Sequence, residues 1–145
     1  MYNSEDKYKH IMEEIEEGMP AYLEKCAELE KQFPNCPFDI SCVEKLSELD
    51  DVFTFEPVIF IYDDRASPNN YYYSELSDRE RSKYVHYLKV EQKANNPITL
   101  KQVIQAMAND AHYHDEVVMS DPHRFLEGFH KCSRTGIQWS AFWGS

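Results

Sequence analysis

Residues 52–62 read Val-Phe-Thr-Phe-Glu-Pro-Val-Ile-Phe-Ile-Tyr, and the fold turns on this stretch. β-Branched and aromatic side chains dominate it, and both kinds suit the pleated, half-buried surface of a sheet. Pro57 has no N–H to give a ladder, so it divides VFTFE from VIFIY. The second half is apolar at five successive positions, the pattern of a strand covered on both faces. One or two strands are therefore expected here, and they need a partner. The chain offers one near its end, where Ile137, Trp139, Ala141 and Trp143 alternate with Gln138, Ser140, Phe142 and Gly144 in the period of a strand. A small sheet joining 52–62 to 137–143 would tie distant parts of the chain into one core.

The rest of the chain reads as helix. From Tyr8 through Ile11, Ile15, Met19, Tyr22, Cys26 and Leu29 to Phe33, apolar residues recur about every 3.6 positions, the period of an α-helix. Ser4 is placed to cap it, with Glu5 and Asp6 at the positive end of the helix dipole. Pro20 interrupts the ladder, but the stripe keeps its phase, which predicts one kinked helix instead of a hairpin. A short helix is expected after Asp39, through Ile40, Val43, Leu46 and Leu49. Another, over about 78–93, follows the capping box Ser77-Asp78-Arg79-Glu80. Thr99 and Gln102 form a second such box ahead of Leu100, Val103, Ile104 and Met107, the buried face of a further helix. Asp121-Pro122 reads as a third helix start, with Phe125, Leu126 and Phe129 on one face and an end near Cys132. The expectation is an α+β protein, mostly helical, with three or four helices beyond the first around a small sheet. No repeat or linker divides residues 1–145, so a single domain is expected.

Composition bounds the function. The net charge is −11, and it is lopsided: residues 1–64 carry 17 Asp and Glu against 5 Lys, while residues 65–145 carry 9 against 10 Lys and Arg. Such a field repels nucleic acid and attracts basic partners. Arg124, Lys131 and Arg134 join His123 and His130 in a basic stretch after two expected helices. The connector between those helices, about 111–120, is too long for a DNA-reading helix-turn-helix. Four glycines and no Gly-rich phosphate loop argue against the usual nucleotide-binding folds. No apolar run is long enough to span a bilayer and no secretory leader opens the sequence, so an intracellular, cytoplasmic protein with reduced cysteines and no membrane partner is expected.

Three features could carry function. Glu13, Glu14, Glu16 and Glu17 crowd one turn of the first helix, and the Glu13 to Glu17 and Glu24 to Glu28 pairs repel at i, i+4. A basic protein partner would relieve them, and the apolar stripe would suit a second copy of the chain. Tyr71, Tyr72 and Tyr73 offer a further contact surface at low entropy cost. The leading expectation is thus a non-enzymatic interaction or regulatory protein, able to form a homo-oligomer, that needs no cofactor. Second, His112, His114, Asp115, His123, His130 and Cys132 fall within 21 residues, and nitrogen and thiolate ligands suit zinc. Their spacing matches no zinc signature. Without metal, His114 with Asp115 or Asp110 could act as a base, so a metal-dependent or histidine-based enzyme centred on 110–132 is the alternative. A third reading is an acidic mimic of nucleic acid.

Overall fold

A computed structural model of the protein describes residues 4–63, 77, 86–120 and 123–144, with side-chain surroundings from Gly18 onward except at Val117. The chain divides into two compact units, Met1–Pro34 and Asn35–Ser145. The first is helix α1, Ser4–Gln32, which runs unbroken through Pro20. Met19, Tyr22 and Leu23, spaced three and four apart on one side of it, are exposed. Among the described residues no helix is long and apolar enough to cross a membrane.

The second unit is built on a sheet, which overturns the expectation of a mostly helical chain with three or four further helices. Its strands are β1 (Asp39–Ile40), β2 (Val52–Thr54), β3 (Val58–Asp63), β4 (Tyr87–Glu91), β5 (Ile98–Thr99), β6 (Phe125–Lys131) and β7 (Gln138–Gly144). Five of them form a mixed sheet in the order β1-β6-β7-β3-β4, and β2 pairs with β5 separately. β3 and β7 are direct parallel neighbours, with Phe60 opposite Gln138 and Tyr62 opposite Ser140. β6 and β4 flank them as antiparallel partners. Among the described residues after Pro34, one α-helix exceeds a single turn or so: α2, Leu100–Asn109.

Each correction has a local cause. Of the segment read as a helix from Asp121 to Cys132, residues 121 and 122 lie outside the described residues and Phe125–Lys131 is β6; the β6–β7 register shifts between Leu126 and Gly128. Such a bulge adds one residue. It puts Leu126, opposite Trp143, and Phe129, opposite Ala141, on the same face although they are three apart, which imitates helical spacing. Gly128 is needed beside the bulge, since a Cβ there would lie 2.8 Å from the Phe142 ring. Of the expected helix over 78–93, residues 78–85 lie outside the described residues, and Tyr87–Glu91 is β4, where buried Val90 and half-buried Leu88 alternate with exposed Tyr87, Lys89 and Glu91. Ala94 and Asn95 then turn the chain with φ of 50° and 62°. Residues 39–49, also expected to be helical, supply the two-residue β1 and the start of a 3₁₀ turn, Leu46–Asp50.

α2 starts as its sequence requires: Thr99 Oγ1 accepts from the Gln102 N–H at 3.2 Å. The Gln102 side chain does not close a reciprocal box but donates to the Glu91 carbonyl at 2.6 Å, fastening α2 to the end of β4. Val103, Ile104, Met107 and Ala108 of α2 are buried. The inner face of the sheet contributes Ile59, Ile61, Val90, Leu126 and Ala141 to the same core. Two groups of rings complete it, Phe53 with Phe129 and Trp139, and Phe38 with Tyr113 and Trp143.

All four cysteines are free thiols. Burial pushes Cys36 and Cys42 up to about 11. A thiol is neutral when protonated, so a folded value above the unfolded one stabilises the fold fully below about pH 9 and loses that contribution as pH rises from 9 to 11. Stability measured by urea unfolding is therefore expected to decline across that window, and to decline less in Cys36→Ala/Cys42→Ala. At pH 8, mass-mapped iodoacetamide labelling is expected to reach exposed Cys132 well before Cys36 or Cys42.

Candidate functional site

Alternation along β3 puts Ile59, Ile61 and then Asp63 on the inner face, so the strand ends by delivering a carboxylate into the core; Asp63 is 3% exposed. The Asp63 N–H donates to the His86 carbonyl at 3.0 Å, extending the β3–β4 register by one pair. His86, in phase with Leu88 and Val90, therefore stands beside Asp63 on the same face. Two groups come from the other side. Asp110 closes α2 with its N–H on the Met107 carbonyl, and opens a 3₁₀ turn, Ala111–His114, with its Oδ1 accepting from the His112 N–H at 3.0 Å. One residue thus ends a helix, starts a turn and fixes the direction of His112.

The four side chains pair crosswise. Strand-borne Asp63 takes turn-borne His112, with Oδ2 and Nε2 2.8 Å apart. Strand-borne His86 takes Asp110, with Nε2 and Oδ2 3.0 Å apart. The two imidazoles stack with centroids 4.1 Å apart and planes 11° from parallel. Tyr113 meets both rings edge-on and joins them to Phe38 and Trp143. Burial grades the two pairs: His112 and Asp63 side chains are 6% and 0% exposed, His86 and Asp110 28% and 15%.

An ionised carboxylate can only accept, so each Nε2 is the donor of its pair and, in the neutral ring, Nδ1 is the acceptor nitrogen. Among the described residues neither Nδ1 has a hydrogen-bonding partner. A carboxylate that holds one imidazole N–H fixes the ring's tautomer and orientation, which is the relation that makes histidine an effective base or ligand.

Of the residues expected to bind metal, His112 is the one built into this centre. His114 is exposed and its Nε2 donates to the Ala108 carbonyl at 2.6 Å. Asp115 caps the 3₁₀ turn with its N–H on the His112 carbonyl, and His123 precedes β6. His130 is exposed at the far end of β6, and Cys132 just beyond it donates to the His130 carbonyl at 3.4 Å. Among the described residues no group of three or more His, Cys, Asp and Glu is placed to hold a metal ion. Glu13, Glu14, Glu16 and Glu17 belong to α1, but their side chains fall outside the described surroundings, and Tyr71, Tyr72 and Tyr73 lie outside the described residues.

Sequence reasoning missed Asp63 and His86. Asp63 continues the alternation of Ile59 and Ile61 by one step beyond the run read as a strand, and His86 does the same for Leu88 and Val90. A charged residue in phase with a buried row was the available signal.

Protein-family models, curated proteins and solved structures were compared with the chain, and none matches.

The burial gradient predicts unequal coupling. A double-mutant cycle of Asp63→Ala with His112→Ala is expected to give about 1.5–3 kcal/mol, since breaking a buried pair leaves one partner uncompensated. The same cycle on His86 and Asp110 should give about half that or less. Urea unfolding of the two cycles measures both.

Proposed function

We propose that the second unit carries a histidine-based proton-transfer site, in which His86 is the general base. The observation behind this reading is the crossed, stacked arrangement of two carboxylate-held imidazoles. His86 is the more exposed of the two, at 28% against 6%, which makes it the ring that a substrate would approach. Asp110 orients the ring through Nε2, and the buried His112–Asp63 pair supports its far face. General bases of this kind contribute about 10²–10⁴-fold to a rate. The substrate would bring a group that ionises or accepts a proton near neutral pH, and the reaction class is hydrolysis or another proton-coupled transfer.

Two measurements test it together. Nitrogen-15 NMR is expected to find both rings as Nε2–H tautomers, with Asp110→Asn relaxing His86 to a mixture. Hydrolysis of an activated ester, with and without added zinc, is expected to lose at least about tenfold in rate in His86→Gln and less in Asp110→Asn. A His86→Gln rate equal to wild type would remove the proposal.

A second reading is favoured by the exposure of Met19, Tyr22 and Leu23 along α1: docking of this acidic helix on a basic protein or a second copy. Here Glu13→Gln, Glu14→Gln, Glu16→Gln and Glu17→Gln together are expected to weaken association, and a monomer on sedimentation with no partner lost on substitution removes the reading.

A further inference from the structure

The five-stranded sheet ends differently at its two edges. β1 closes one edge with two residues, too short to template a further strand. β4 closes the other with five, Tyr87–Glu91. In an antiparallel pair, alternate residues turn their N–H and C=O toward the partner strand and the rest turn theirs away. The Asp63 N–H donates to the His86 carbonyl at 3.0 Å and the Gln92 N–H to the Pro57 carbonyl at 2.9 Å, so His86, Leu88, Val90 and Gln92 are the residues that bond to β3. Tyr87, Lys89 and Glu91 therefore turn their backbone groups to the open edge. The Glu91 carbonyl agrees, since it accepts from Gln102 Nε2 of α2 at 2.6 Å.

That bond caps one end of the edge and leaves the rest bare. Among the described residues, the N–H and C=O of Tyr87 and of Lys89 have no hydrogen-bonding partner. Tyr87 is 59% exposed and the Lys89 side chain 54%, so water reaches both. A lysine is a common guard of such an edge, because its charge keeps other strands away. Here the Lys89 ammonium is held along its own strand by Glu91, at 2.8 Å.

We infer that β4 pairs antiparallel with β4 of a second copy, about a two-fold axis at Leu88. The bare groups select this register. Tyr87 of each copy lies opposite Lys89 of the other, and residues so placed exchange both N–H to carbonyl bonds, which satisfies every open group of the edge. An axis at Lys89 or at Val90 would instead call on the Glu91 carbonyl that Gln102 holds, and the first would also set Lys89 against Lys89. The faces match as well. A two-fold axis normal to the sheet keeps each face continuous, so half-buried Leu88 meets its own counterpart in the inner row and Tyr87 meets Lys89 in the outer one. The edge itself is not acidic: residues 86–93 hold Lys89 and Lys93 against Glu91, and the surplus behind the net −11 falls before residue 65. A second copy also brings a strand already straightened by β3, so it spends no entropy on ordering, as a loose peptide would.

Sedimentation of the full chain from about 1 µM to about 1 mM tests this. A reversible dimer is expected. Lys89→Pro deletes an outward N–H that β3 does not use, and is expected to abolish the dimer while circular dichroism and the unfolding midpoint stay near wild type. Should that variant unfold, two changes at the exposed Tyr87 side chain decide the matter. Tyr87→Lys places like charges opposite each other and is expected to weaken the dimer about threefold or more, whereas Tyr87→Glu faces Lys89 and is expected to tighten it. In amide exchange followed by NMR, Tyr87 and Lys89 are expected to slow as concentration rises, with Leu88 and Val90 slow throughout. The inference is overturned by a monomer across the whole range, or by a dimer that Lys89→Pro and Tyr87→Lys leave intact, which would place the contact on α1 or elsewhere.

Discussion

A carboxylate at the buried end of a strand constrains everything around it. Asp63 has no exposed side-chain surface, and an ionised group so placed costs several kcal/mol unless it is paired and hydrogen-bonded. His112 supplies the pair, and to reach Asp63 it must be carried on a turn that points back at the sheet. Asp110 makes that turn. It stops α2, opens the 3₁₀ segment and holds the His112 N–H. The position of α2 over the sheet, the placing of His86 just ahead of β4 and the entry of Tyr113 into the aromatic core are thus all tied to one pairing requirement.

Crossing the pairs adds something that simple pairing would not. Asp63 and His86 are neighbours on adjacent strands, and Asp110 and His112 are neighbours in one turn, so each could have satisfied the other locally. Local pairing would leave sheet and turn held by apolar contacts alone, which tolerate sliding. The crosswise arrangement makes two directional bonds between them, 2.8 and 3.0 Å long, and the stacked rings lie between. Register between the layers is set by chemistry that cannot slide.

Much of this was legible in the sequence where a signal is local and strong. The continuous apolar run VIFIY is β3, although it is buried on one face and not on both, alternation near the end of the chain is β7, and Thr99 caps α2. Other parts failed because two periods became confused. The bulge at Leu126–Gly128 gave β6 the three-residue spacing of a helix, and a convincing cap at Ser77 drew attention from the period of two in Tyr87–Glu91. The site was half visible. His112 stood out in a crowd of histidines, but that crowding was misleading: its partners are 49 residues away at Asp63 and, through the stack, at His86, while His130 and Cys132 sit at the other end of a strand. Pairing across such distances follows from strand register, which a single sequence does not reveal.

Stability alone does not account for the centre. Replacing a buried ionic group by apolar side chains of similar volume is often neutral, or stabilising by about 1–4 kcal/mol. The surrounding core offers what such a replacement needs: Ile61, Leu88, Tyr113 and Trp143 are already at hand, and the rows that Asp63 and His86 extend are otherwise apolar. Two carboxylates and two imidazoles at this spot are therefore not what stability alone requires. Rigid attachment of turn to sheet needs one crossed pair. The second pair differs in its exposure: it leaves the oriented His86 imidazole 28% exposed, where His112 is 6% exposed.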